Sequence, residues 1–184
     1  ETLKAKRDRA LLLVGYLGCF RRSEIVALRW SDIEGNLAKP GEGIDILLRR
    51  SKTDQTGTGK RKAIPCQENK EMCAVEALRV WKDTVKKRLQ ENGTRFTNDA
   101  FIFCRRRRGD ALQPDKPLDP SYVATLIKDR AALLGFDTKA LSGHSLRSGI
   151  ITQLFADGVD AIMISNQAGH RRLDTTISYD QQHE

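Results

Sequence analysis

Apolar positions recur along most of this chain at the three-to-four-residue spacing of a helix face. Residues 5–17 read as an apolar helix, and "RSEIVALRW" over 22–30 reads as a second, shorter one. Between 71 and 90, Ala74, Leu78, Trp81, Val85 and Leu89 mark one face of a long helix. Asp119 before Pro120 predicts an N-cap with proline at the first helical position. Val123, Leu126, Ile127, Ala131 and Leu134 form its buried stripe, and Gly135 stops it. A further helix is predicted from about 144 to 157, ended by Gly158. Asp160 is placed to cap the short "AIMIS" helix, and Asp174 a last one carrying "TTISYD". Two segments change period. "GIDILLRR" (43–50) alternates apolar and polar residues, "KRKAIP" (60–65) reads as its partner strand, and "TDQTGTG" between them as a flexible hairpin loop. The pattern predicts a mainly α fold with a small antiparallel β-sheet, an α+β domain covering residues 1–184.

Composition adds limits. A chain of 184 residues suits one sizeable domain. "ALLLVGYLGCF" is too short and too glycine-broken for a membrane span of about 20 residues, so it reads as core helix. "ETLKAKRDRA" shows no secretory pattern, and the lack of a starting Met is read as the mark of a fragment or excised domain. Cys19, Cys66, Cys73 and Cys104 form no C-x-x-C pair and no metal-ligand spacing, so reduced thiols are expected and no metal or cofactor is called for. Trp30 and Trp81 are assigned to packing contacts. The charge is more informative. Lys and Arg number 32 against 24 Asp and Glu, a net +8, which favours a polyanionic partner such as nucleic acid.

No histidine has the Ser or Cys context of a nucleophile elbow, no glycine-rich loop matches G-x-x-x-x-G-K-[ST], and the carboxylates form no cluster suited to two-metal chemistry. What remains is a set of cations and one phenol. "GCFRRSEIVALRW" puts Arg21 at a turn before a helix with Glu24 three residues on, and "RRSKTDQ" puts Lys52 where the first strand enters the hairpin loop. "SGHSLRSG" places His144 and Arg147 at i and i+3, on one helical face, where two potential cations need an anion between them. "AGHRR" supplies His170 after a glycine, and Tyr179 follows nine residues later.

In this order the segments resemble the catalytic domain of the tyrosine recombinases, the phage integrase and Cre-like family. That family is marked by an arginine in a G-x-R-x-S-E-like context, a hairpin lysine, His-x-x-Arg, a Gly-His or Gly-Trp, and a tyrosine about nine residues further on. The resemblance implies the DNA breaking-rejoining fold and a site-specific recombinase or integrase that uses neither metal nor ATP. Arg21 and Arg147 would hold the non-bridging oxygens of the scissile phosphate, a task that suits a planar guanidinium. Tyr179 would be the nucleophile. A free tyrosine has a pKa near 10, so about one in a thousand is phenolate at pH 7, and an arginine field and a base are needed. His144 would serve as base and then acid, Lys52 would protonate the leaving 5′-oxygen, and His170 would donate to a phosphate oxygen. Glu24 would orient the cluster from a buried position. The implied product is a 3′-phosphotyrosyl ester, which keeps the energy of the broken bond for rejoining.

Some assignments stay open. Lys60 and Lys62 lie on the same hairpin as Lys52 and are its alternatives, or are DNA contacts. Arg105 and Arg106, in the run Arg105–Arg108, read as a loop that touches phosphate, with a solvated loop or a localisation signal as the other readings. Taken singly, Tyr179 would be a surface tyrosine and the histidines capping residues. The resemblance implies as partners double-stranded DNA bearing a recombination site and further protomers in a tetrameric complex, with no membrane, in the cytoplasm at the nucleoid or in a phage host. It also implies that an N-terminal core-binding domain is missing from these 184 residues and that the segment after Tyr179 is short or truncated. A type IB topoisomerase, told apart by a relaxation assay, and a non-catalytic DNA-binding module are the competing readings.

Overall fold

The first helix begins where the Thr2 hydroxyl oxygen accepts the Ala5 N–H at 3.1 Å and ties down one of the open amides of the first turn. This α1 runs Leu3–Leu17 in a computed structural model that describes residues 1–39, 41–49 and 59–180. Gly18 closes it, Cys19 follows with φ of +51°, and α2 (Arg22–Ala27) starts at once. The expected helix over 22–30 is therefore shorter. Leu28 is extended (ψ 138°), and the chain resumes as a single 3-10 turn, Trp30–Asp32.

Strands β1 (Ile33–Glu34), β2 (Ile44–Leu48) and β3 (Lys60–Ile64) form an antiparallel sheet in chain order, with Ile46 opposite Lys62 and Leu48 opposite Lys60. Helix α3 (Ala74–Glu91) buries the predicted Ala74, Leu78, Trp81, Val85 and Leu89 face. The indole N–H of Trp81 donates to the Ile102 carbonyl at 2.8 Å, which satisfies its one polar atom inside the core.

The segment around 104–117 departs from the expected loop. β4 (Cys104–Arg106) pairs antiparallel with β5 (Leu112–Pro117), with a register shift between Cys104 and Arg105. Helix α4 (Ser121–Leu133) starts one residue later than the Asp119–Pro120 cue suggests. The Asp119 carboxylate accepts the Ser121 N–H and hydroxyl instead, at 2.9 and 2.6 Å. Helices α5 (Ser145–Ala156), α6 (Ala161–Ala168) and α7 (Leu173–Ile177) complete the described chain. Asp160 caps α6 as expected, by accepting the Ile162 N–H at 2.8 Å. Asp174 lies inside α7 and pairs with Arg172, so the expected cap is not made.

The main core joins α1, α2, the three-stranded sheet, α3 and α4. A smaller apolar cluster of Cys19, Ile150, Ile151, Ile164 and Ala168 lies between the α1–α2 turn, α5 and α6, and Tyr179 packs against it. Among the described residues, no helix is long and apolar enough to cross a membrane.

Candidate active site

Arg21 is the residue before α2, and one carboxylate fixes both of its ends. The Glu24 side chain accepts the Arg21 backbone N–H at 2.9 Å and its guanidinium at 2.6 Å. Glu24 is buried and Arg21 half-buried, whereas Arg22 is exposed, which separates the two adjacent arginines physically.

Arg147 enters the same region from the first turn of α5 and is 2% exposed. Its Nη1 donates to the Cys19 carbonyl at 2.9 Å. Nη2 is buried and has no partner among the described residues. A buried cationic donor left open in this way costs free energy unless an acceptor meets it. Burial pulls the Arg147 pKa below its ordinary value and the Arg21 charge adds to this, with Cys19, Glu24 and Tyr179 acting the other way. His144 stands at the N-cap of α5, exposed, its backbone N–H donating to the Ser142 hydroxyl at 3.2 Å. The two therefore leave one helix start differently, Arg147 inward and His144 toward solvent.

The α6 end positions His170. Gly169 takes a left-handed conformation (φ 69°), and both its N–H and that of His170 return to the Ser165 carbonyl, at 2.8 and 3.1 Å. The His170 Nδ1 lies 2.8 Å from the Thr176 hydroxyl, a fully buried residue of α7. Its ring stacks on Tyr179, with centroids 5.9 Å apart and planes at 12°. Burial, then the charges of Arg147, Arg21 and Lys62, push His170 down to about 4. The imidazole is thus neutral at physiological pH. In the tautomer in which the Thr176 hydroxyl donates to Nδ1, Nε2 carries the proton and is a donor.

Lys62 departs from the expected surface contact. It is 3% exposed, and its ammonium donates to the carbonyls of Gly18 (3.0 Å), Cys19 (2.8 Å) and Gln167 (3.0 Å). All three protons are used, so none is left for phosphate. Burial pushes its pKa down to about 8. It ties β3 to the turn before Arg21 and to the helix before His170. Lys60, by contrast, is exposed at the first residue of β3, with its methylene chain beside Gly169.

Arg105 and Arg106 are on β4 and line a separate cleft with Lys4, Asp119 and Tyr122. The Arg105 Nε donates to the Pro117 carbonyl at 3.0 Å, and Arg106 is ion-paired with Asp110. Lys52 lies outside the described residues.

Two contributors are missing from the sequence reading. Cys19 takes part through its backbone: its left-handed φ sits in the turn whose carbonyl accepts from both Lys62 and Arg147. Thr176 holds the His170 ring. No residue pattern announces the first, because the group is a carbonyl. Thr176 is visible only as the hydroxyl six residues after His170 in a chain that turns back on itself. The assembled site is a cationic floor of Arg21, Arg147 and Lys62 with one buried carboxylate, Glu24, beside a neutral imidazole and a phenol. Its one buried donor without a partner among the described residues is the Arg147 Nη2.

The sequence profile of the phage integrase family matches residues 1–184. The chain belongs to that family. The integrase/recombinase xerD homolog of Selenomonas ruminantium is 35% identical over 171 residues, 93% of this chain and 46% of that protein. The tyrosine recombinase XerD of Xanthomonas campestris pv. campestris is 28% identical over 94% of this chain and 47% of its own length. This phage integrase family chain thus spans about half the length of the curated relatives it matches. Among known structures, the XerH site-specific recombinase bound to palindromic difH substrate, in a post-cleavage complex, superposes with a TM-score of 0.71 at 19% identity, over 99% of this chain and 44% of that one. XerA recombinase gives 0.65 at 23% identity over 96% and 52%. The fold is that of the tyrosine recombinase catalytic domains.

Proposed function

We propose that this chain is the catalytic domain of a site-specific DNA recombinase that cleaves and rejoins strands through a 3′-phosphotyrosyl intermediate. The observation that carries the proposal is the open, buried Nη2 of Arg147 beside Arg21, His170 and Tyr179. A phosphodiester offers two non-bridging oxygens, and the paired guanidiniums neutralise them as charge grows in the transition state. The neutral His170 donates to one of these oxygens without adding a further full charge to those of Arg21, Arg147 and Lys62. The Tyr179 oxygen attacks phosphorus, the bond to the 5′-oxygen breaks, and the ester forms. His144, exposed at the start of α5, is assigned the phenol proton. Lys52 is assigned the proton delivered to the departing 5′-oxygen, and the reverse steps rejoin a strand.

The partners under this proposal are duplex DNA with a recombination site and further protomers, in a tetramer at synapsis. The Tn1549 transposon integrase in complex with transposon right end DNA, XerH bound to difH substrate and a lambda integrase dimer bound to a COC′ core site support a DNA partner. The remaining half of the relatives' length supports the reading of this chain as one domain of a two-domain clamp, acting in the cytoplasm at the nucleoid. The test is covalent capture. A duplex selected from a randomised pool for binding, and nicked beside the cleavage position, should yield a denaturation-resistant adduct whose phosphate is on Tyr179. An adduct that persists in Tyr179→Phe, or that chelators abolish, overturns the proposal.

A further inference from the structure

Away from the arginine cluster, two thiols meet. Cys66 follows Pro65 at the exit of β3, and Cys73 is the residue before α3. Both are free, and their sulfurs are 3.5 Å apart. Cys66 is half-buried and Cys73 is 1% exposed. They line a cleft of about 540 Å³ whose charged groups are Lys39, Lys70 and Arg79 together with Glu68, Glu76 and Asp83. Among the described residues, no third Cys, His, Asp or Glu joins them in a group that could hold a metal ion. The other two cysteines, Cys19 and Cys104, are buried elsewhere in the fold.

The two sulfurs have different chemistry. Burial opposes ionisation of Cys73, but the backbone N–H groups of Glu76, Gln67 and Val75 and the Cys66 thiol outweigh it and hold Cys73 below the usual thiol range. The Gln67 N–H points at its sulfur from 3.4 Å. The Cys66 thiol is pushed up, chiefly by its hydrogen bond with Cys73. An accessible thiol therefore sits against a protected one whose thiolate the start of α3 stabilises. That division of labour suits stepwise exchange, with one sulfur taking the incoming partner and the other resolving it.

We propose that Cys66 and Cys73 are a thiol–disulfide exchange site that closes reversibly into a disulfide on reaction with a small disulfide of the glutathione type. Cys66 passes its proton along its hydrogen bond to the Cys73 thiolate and attacks one sulfur of oxidised glutathione; Cys73 gives that proton up again before it resolves the mixed disulfide. A protein–glutathione S–S bond forms, the glutathione S–S bond breaks, and one glutathione thiolate leaves and takes up a proton. The Cys73 thiolate then attacks the Cys66 sulfur and expels the second glutathione. Two protein thiols are oxidised and one glutathione disulfide is reduced to two thiols. The bridge ties the end of β3, the strand of Lys62, to the start of α3, and it does not depend on the recombinase reading.

The intact chain is equilibrated without oxygen in glutathione buffers of rising oxidised-to-reduced ratio, alkylated, digested and read by mass spectrometry. The expected result is a Cys66–Cys73 cross-linked peptide, lighter by two hydrogens, that grows with the ratio and disappears on added dithiothreitol while Cys19 and Cys104 stay alkylated. Cys73→Ser should accumulate glutathione on Cys66. In Cys66→Ser, Cys73 should remain unmodified. If wild-type Cys66 and Cys73 both remain alkylated in the most oxidising buffer, or if all four cysteines take glutathione equally, the proposal fails. If Cys73→Ser carries no glutathione on Cys66, the order of exchange fails. The wild-type cross-link is read without any variant, so misfolding of a mutant cannot decide the outcome.

Discussion

Arg147 spends part of its folding stability on readiness. One nitrogen of its guanidinium is satisfied by the Cys19 carbonyl, and the other is buried with no partner among the described residues. Arg147→Met removes a desolvated charge of similar length, and the Cys19 carbonyl keeps the Lys62 ammonium at 2.8 Å. Stability in urea should therefore change by less than about 1 kcal/mol. Cleavage should fall about 100- to 1,000-fold, the usual loss for one oxyanion donor. A parallel loss of stability and cleavage would make Arg147 a structural residue. His170 allows a second test at this scale. Its pKa is about 4 in the folded chain against an ordinary value near 6.5. The unfolded chain binds the proton first, so this group leaves stability unchanged above pH 6.5 and removes it as pH falls toward 4. Urea midpoints should decline across that window, and His170→Gln should flatten the decline. An unchanged slope in the variant would show that the native imidazole titrates normally.

At the scale of elements, the Lys62 tie matters most. Lys62→Met leaves the Gly18 and Gln167 carbonyls without this donor, which should cost about 1–3 kcal/mol in equilibrium unfolding. It should also slow cleavage, because the turn before Arg21 and the helix before His170 lose their common anchor. Wild-type cleavage in this variant would show that the anchor is only structural. Lys62 also shows how the sequence could have been read further. In an antiparallel strand, residues two apart share a face, and Lys62 is two before Ile64, which is buried. Strand alternation therefore places this lysine inside, against the expectation drawn from its charge. The stripe expected for α4 holds at Val123, Leu126 and Ile127 but fails at its end, where Leu134 caps the helix and is 74% exposed. Helix α3 was legible because its apolar stripe is strong. The β4–β5 hairpin was not, because "CRRRRG" offers no apolar alternation and β5 contains Pro114 and Pro117. Among the described residues its two strands pair only with each other, a contact that a local apolar pattern does not carry. The order Arg21, His144, Arg147, His170, Tyr179 was legible from family resemblance. The carbonyl of Cys19 and the Thr176 hydroxyl emerge only when the chain is folded.

For the whole molecule, a net charge of +8 makes salt the natural probe of DNA binding. The logarithm of affinity should fall linearly with the logarithm of salt concentration, by about 0.9 per phosphate contacted. Arg105 is exposed on β4, and Arg105→Gln should lower that slope by about one if it touches phosphate as proposed. An unchanged slope removes it from the interface. The central claim is that the cationic floor serves a covalent reaction at Tyr179. It is tested most directly by intact-mass and peptide analysis of the chain after incubation with a selected, nicked duplex. The account predicts one DNA strand esterified through its 3′-phosphate to Tyr179, formed in the presence of chelator and lost in Tyr179→Phe. An adduct on any other residue, or none while the duplex is bound, would contradict it.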